Sequence, residues 1–315
     1  MNTLAPLEKN SPASQFFILM GLFLVCLVVF SVLAIIAAMP FAHISGINDI
    51  GKLSNYGDPD VVMGLKMAQV VSAVGSFIVP AFLFSVLASR SKLEYLGLKI
   101  PPNFGAMLLV GIIMLAAMPF INWMADLNSR LVLPASLSGL EHWMKDSEAK
   151  AGALVQAFLN DKSIHGLFLN LFVIAFLAAV SEEIFFRGVL QKILIAWTKS
   201  THSGIWIAAI VFSAFHFEFY GFVPRMMMGV FLGYIYVWSK SIWIPMFAHF
   251  VNNGMDVLLT FLEQRNKVPK NIDQLGTATN DWWQVVASVL LIGVGTFVFY
   301  KWMKKKEKPE SIPLT

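Results

Sequence analysis

A single cysteine in 315 residues, Cys26, excludes a disulfide scaffold, and that residue sits inside an apolar run. Charge is scarce too. Asp, Glu, Lys and Arg make up 13% of the chain, against roughly 25% in an ordinary soluble domain. A water-soluble globule of this length could not cover its surface with so few charges. Disorder is excluded by the same figures, since it needs low hydrophobicity and high charge. The net charge of +4 is not gathered on one basic face, so nucleic acid is not an expected partner. What the chain has in abundance is apolar: 57% hydrophobic residues, with 27 Phe, 16 Met and 9 Trp. These figures predict an all-α, polytopic transmembrane bundle.

A helix needs about 20 residues to cross a hydrocarbon core of ~30 Å. About eight segments qualify, the clearest being Phe16–Met39, Met63–Leu87, Ala106–Leu127, Leu167–Phe186 and Trp282–Tyr300. Ile205–Phe222, Val223–Ser239 and Ile242–Phe261 are less regular. The first run is too long for a signal-peptide core and lacks a basic flank, so it reads as a retained helix. The organisation expected is an N-terminal tail (1–15), one helical membrane domain (16–303) and a basic tail (304–315). Within 137–160, Leu140, Trp143, Met144, Leu154, Val155, Phe158 and Leu159 alternate with charges. That pattern suits an amphipathic helix, or two, lying on the extracytoplasmic surface.

Charge orients the bundle. Arg90, Lys92 and Lys99, then Arg187, Lys192 and Lys199, then Lys240, and finally Lys301 to Lys308 occupy every even-numbered connection. Cytoplasmic connections are enriched in Lys and Arg, so both termini are expected in the cytoplasm, with the protein in the cell (inner) membrane.

Ionisable residues within a span cost about 2.5–3.5 kcal/mol each on insertion scales, which makes them functional candidates. The fourth span carries Ser181-Glu182-Glu183-Ile184-Phe185-Phe186-Arg187, the fifth Phe212-Ser213-Ala214-Phe215-His216, and the seventh His249-Phe250-Val251-Asn252-Asn253. Counting 1.5 Å per residue from the predicted cytoplasmic ends puts these side chains within ~10 Å of one another in depth. Glu183 and Arg187 are four apart on one helical face and should pair. Glu182 points about 100° away. A carboxylate and a histidine sharing one water make a general base, and a second histidine with an amide can serve a developing oxyanion. That set suffices for peptide hydrolysis without a covalent intermediate. Gly229 and Gly233 read as small residues for close helix packing, and Glu218 and Arg225 as residues of a solvated interface flanking the outer turn between spans five and six.

Glu-Glu-x-x-x-Arg at 182–187, Phe-x-x-x-His at 212–216 and His-x-x-x-Asn at 249–253 resemble the motifs of the CAAX protease and bacteriocin-processing family (CPBP, or Abi), intramembrane endopeptidases related to the Ras-converting enzyme. Gly229-Val230-Phe231-Leu232-Gly233-Tyr234 resembles the family's lead-in to the third motif. The resemblance covers about 167–257. It implies that Glu182 and His216 activate water, and that His249 and Asn253 form the oxyanion hole. Glu183 and Arg187 match the motif as substrate-binding or structural residues. The substrate implied is a membrane-associated protein or peptide, lipidated or membrane-inserted. The resemblance favours a glutamate-dependent mechanism without a cofactor. Zinc stays open, with Glu182, His216 and His249 as the ligand set that a three-ligand site needs. His-Glu-x-x-His of site-2-type zinc proteases is absent. A different class also stays open: a non-proteolytic immunity or scaffold protein whose polar cluster binds a partner helix. A repeat-built transporter is disfavoured, because the first half has no counterpart of these motifs.

Overall fold

The computed structural model describes residues 6, 7, 9–269, 274–277 and 281–307, and among these every regular element is helical. Residues 1–5 and 8 of the expected N-terminal tail and 308–315 of the basic tail lie outside the described residues. Helix starts follow local chemistry. Ser11 accepts a hydrogen bond from the Ser14 N–H and Pro12 opens α1 (Pro12–Ala38), as Asp58 and Pro59 do for α2 (Pro59–Ala88). Asn103 caps α3 (Phe104–Ser129). After α4 (Ser138–Leu159), Ser163 caps α5 (Ile164–Thr198) and Ser200 caps α6 (Thr201–Ala214). The bundle is completed by α7 (Phe222–Ser239), α8 (Trp243–Gln264) and α9 (Trp282–Glu307).

Five of these helices, α1, α2, α3, α5 and α9, are long and apolar enough to cross a membrane. α1 presents Leu24, Val25, Val28, Val29 and Val32 outward, as a lipid-facing helix does and a soluble core helix does not. The chain is an integral membrane protein. Of the eight expected spans, the other three differ from these. α6 has 14 residues, about 21 Å at 1.5 Å per residue and short of the hydrocarbon core. α7 and α8 are long enough but carry the polar side chains of the site.

Boundaries shift from expectation at four places. α1 begins at Pro12, inside the expected tail, and α9 continues to Glu307, so Lys304–Lys306 are helical. The fourth span does not stop at Phe186 but runs to Thr198. Arg187 and Lys192 therefore lie within α5 and not in a connection. Arg187 is tolerated because Glu183 pairs with it one turn earlier, and the Lys192 ammonium is held on the Tyr95 carbonyl. The fifth span ends at Ala214, eight residues before Phe222, which leaves His216 in the following turn.

α5 is not a uniform α-helix. π-type turns at Leu171–Leu177 and Phe186–Leu190 bracket the Ala178–Phe185 stretch that carries both glutamates. Such turns insert a residue and re-aim the side chains that follow. Behind the glutamates stands an aromatic cluster. Phe23 of α1 packs on Phe185 (5.3 Å between centroids) and Phe215 (5.1 Å), and Phe186 meets Phe212 edge-to-face at 5.1 Å. Phe77 of α2 joins through Phe185 and Phe186. The first half of the chain thus supplies the wall against which the motif helices are set.

α4 forms as one amphipathic helix and packs over the end of the bundle. Asn170 donates to the Phe158 carbonyl at 2.8 Å and Gln264 to the Leu159 carbonyl at 3.1 Å. Trp143 packs on Phe219, and Glu148 accepts the Tyr220 N–H at 3.1 Å.

Candidate active site

The three motifs meet. Glu182 Oε2 lies 3.9 Å from His216 Nε2 and 3.9 Å from His249 Nε2, so one carboxylate oxygen faces both rings. That oxygen is buried and has no hydrogen-bond partner among the described residues. Both rings are held from behind. His216 Nδ1 faces the Phe212 carbonyl at 3.0 Å, four residues back, and His249 Nδ1 faces Glu183 Oε1 at 3.0 Å.

Glu183 and Arg187 form the expected ion pair, at 2.8 Å and fully buried. Arg187 also donates to the Gly229 carbonyl at 3.1 Å, and Gln191 to the Gly233 carbonyl at 3.2 Å. These bonds stitch α5 to α7, and glycine permits the approach. A Cβ at Gly229 would sit 3.1 Å from Ala209 Cβ, and one at Gly233 would sit 2.8 Å from Ile205 Cγ2. Asn253 donates to the Ile174 carbonyl at 3.3 Å, within the first π-type turn of α5, and accepts from Asn252 at 3.1 Å.

The arrangement lies beside a cavity of about 360 Å³. His216, His249, Asn252 and Asn253 line it, with Val155 and Leu159 from α4 closing one side. The cavity is therefore on the α4 side of the bundle. Counting depth from the predicted cytoplasmic ends treats those ends as flush. Glu182 is sixteen residues before the end of α5, about 24 Å, whereas His249 is six residues into α8, about 9 Å. The helices are staggered, and the side chains meet all the same.

Three features were not read from the sequence. Phe212 was expected only to share a helical face with His216, yet its buried ring also packs on the Arg187 guanidinium at 4.7 Å and on His249 at 5.9 Å, besides His216 at 5.2 Å. Its four-residue spacing from His216 was the available signal. Asp256, one turn beyond Asn252, lines the cavity. Glu218 and Arg225, expected at a solvated interface, form instead a half-buried ion pair in the cavity wall. The turn after α6 packs against Trp143 and Glu148 of α4, which leaves the pair only partly exposed.

Among the described residues, no group of three His, Cys, Asp or Glu side chains is placed to hold a metal ion.

This is an all-helical membrane protein with a carboxylate–histidine cluster enclosed in its bundle. Residues 164–255 match the family described as Type II CAAX prenyl endopeptidase Rce1-like, which bears out the resemblance drawn from the three motifs. The uncharacterized protein YpbD of Bacillus subtilis (strain 168) is 29% identical over 136 residues, covering 42% of this chain and 64% of YpbD. From the same organism, the protein named "Putative membrane peptidase YdiL" is 26% identical over 107 residues, covering 34% of this chain and 43% of YdiL. The chain therefore spans less than two thirds of the length of either relative. No solved structure matches it.

Proposed function

We propose that this protein is an intramembrane endopeptidase that hydrolyses a peptide bond in a membrane-associated substrate through a water activated by Glu182 and His216. The observation that carries this reading is the position of Glu182 Oε2, equidistant at 3.9 Å from the Nε2 atoms of two histidines on separate elements. Polar atoms that far apart suit one bridging water. Glu182 would take its proton, and His216, oriented by the Phe212 carbonyl, would share it and pass it to the leaving amine.

His249 and Asn253 would receive the oxyanion. His249, its Nδ1 held against Glu183, would turn Nε2 toward it as the donor. No metal is needed for these steps, and the mechanism is proposed as metal-free.

An apolar cavity of about 550 Å³ between α3, α7 and α9 shares Ile121, Pro224 and Met228 with the polar one. It supports a substrate with a lipidated or strongly apolar portion, in keeping with the prenyl endopeptidase family that the segment matches. We also place both termini in the cytoplasm, supported by Arg90, Lys92, Lys99 and Lys240 on the connections away from α4. Reporter fusions at Asp146 and at the C-terminus should then report opposite sides.

The deciding experiment compares purified wild type with Glu182→Gln on a quenched-fluorescent pool of apolar peptides. The amide cannot take the proton, so turnover should fall by about 10²–10⁴-fold with the folded yield unchanged. Full activity in Glu182→Gln ends the proposal.

A further inference from the structure

We infer that a further cavity, at the end of the bundle away from α4, is a phosphate-binding site that takes the headgroup of an anionic membrane lipid. This goes beyond the peptidase reading and does not depend on it. The cavity measures about 280 Å³ and is walled by the connection between α2 and α3, by α5 and by the end of α7. Glu94, Gly97 and Ile100 line it from the connection, Lys192 from α5, and Tyr236 and Lys240 from the end of α7. Among the described residues, it shares no lining residue with the polar cavity beside Glu182. Lys192 is ten residues along α5 from Glu182, about 15 Å at the rise of a helix.

Hydrogen bonds hold the walls in place. Ser241 donates to the Ile100 carbonyl at 3.0 Å, and Trp243 Nε1 to the Leu98 carbonyl at 3.1 Å. Gly97 is in the left-handed region (φ 78°), and a Cβ there would come within 3.0 Å of the Tyr236 hydroxyl. A lysine six residues from a helix end can extend its ammonium outward to water. Lys192 turns inward instead. Its ammonium donates to the Tyr95 carbonyl and stands 5.0 Å and 5.6 Å from the ring centres of Tyr95 and Tyr236. The carboxylate in the same cavity, Glu94, pairs with Lys99 at 3.6 Å and not with Lys192. Lys240 follows α7 in the left-handed conformation (φ 58°), where glycine is the least strained residue, yet the side chain kept there lines the cavity. Two lysines and a tyrosine hydroxyl thus face one space whose carboxylate is already offset. Lysine ammoniums bind phosphate as point charges. Ile100 in the rim and Trp243 beside it are exposed, as side chains at a membrane–water interface are. At that depth the anion at hand is a lipid phosphate, and basic pockets between spans hold anionic headgroups.

The test titrates lipids into purified full-length protein in a neutral detergent and follows thermal unfolding, because a ligand of the folded state raises the midpoint with its concentration. The probes are phosphatidylglycerol, phosphatidylcholine, diacylglycerol and, at matched ionic strength, inorganic phosphate. Phosphatidylglycerol should raise the midpoint and saturate. Diacylglycerol, which lacks the phosphate, should not, and phosphatidylcholine, whose choline offsets its phosphate, should do so far less. An equal rise with inorganic phosphate keeps the phosphate site and overturns the lipid as its source. In Lys192→Gln and in Lys240→Gln the apparent Kd for phosphatidylglycerol should weaken by about 10–100-fold, the loss of a charge-assisted hydrogen bond. Lys240 is exposed, so its variant carries the test if Lys192→Gln does not fold. Lys305→Gln removes an exposed charge near the end of α9 and should weaken binding by less than about 5-fold. Equal weakening in Lys305→Gln and Lys192→Gln would make the binding a diffuse surface attraction and overturn the inference. So would equal responses of wild type to phosphatidylglycerol and diacylglycerol. A Lys240 that only complements the C-terminus of α7 would lower the starting midpoint and leave the lipid-dependent rise unchanged, which overturns it as well.

Discussion

One carboxylate oxygen, Glu183 Oε1, takes both the Arg187 guanidinium at 2.8 Å and the ring Nδ1 of His249 at 3.0 Å. The ion pair that lets a charged turn persist inside α5 is thereby also the support of a motif histidine on α8. In the proposed mechanism Glu183 and Arg187 are therefore positioning residues.

Breaking that pair from one side should be costly. Arg187→Met leaves Glu183 buried without its cation, and such a loss typically costs about 3–5 kcal/mol. The double variant Glu183→Met with Arg187→Met should recover thermal stability in detergent, because it removes both charges. Hydrolysis should stay low in the double variant, since His249 has lost its orienting carboxylate. Recovery of both stability and turnover would show that the pair is only a structural clamp.

Oxyanion donors act late. His249→Ala and Asn253→Ala should each lower kcat by about 10²–10³-fold with a much smaller change in KM. Asn252→Ala should cost less, because Asn252 donates to Asn253 and does not share its bond to the Ile174 carbonyl. Steady-state kinetics on the three variants check the order, and a larger loss at Asn252 would move the donor to that residue.

Close packing of α7 has its own prediction. In Gly233→Val the added carbons would meet Ile205 Cγ2 at 2.8 Å or less, and overpacking of this kind costs about 1–3 kcal/mol. Thermal unfolding should fall accordingly, with activity lost in proportion to folded protein. An unchanged transition would mean that α6 can move away without penalty.

Chelation tests the metal-free proposal directly. Activity should survive prolonged treatment with strong chelators, and added zinc should not raise it. A stoichiometric metal that leaves with activity, and is absent from both Glu182→Ala and His249→Ala, would recast those two residues as ligands.

The sequence by itself determined which polar residues interrupt the apolar runs, and the solvent. Too little charge and too many apolar runs require lipid around the bundle. Polar side chains that interrupt such runs at four-residue spacing can be read one helix at a time, because that spacing is local helical geometry. Glu183 with Arg187, and Phe212 with His216, are legible for this reason. What joins one helix to another is not local. That Phe23 and Phe77 from the first half brace the motif helices, that α5 runs on past Arg187, and that Arg225 turns into the cavity under α4 depend on contacts between residues distant in the chain. Those contacts arise from packing, in which the same apolar residue serves equally well against lipid or against protein. Hydropathy cannot tell these two surroundings apart, and only the tertiary structure decided which faces meet.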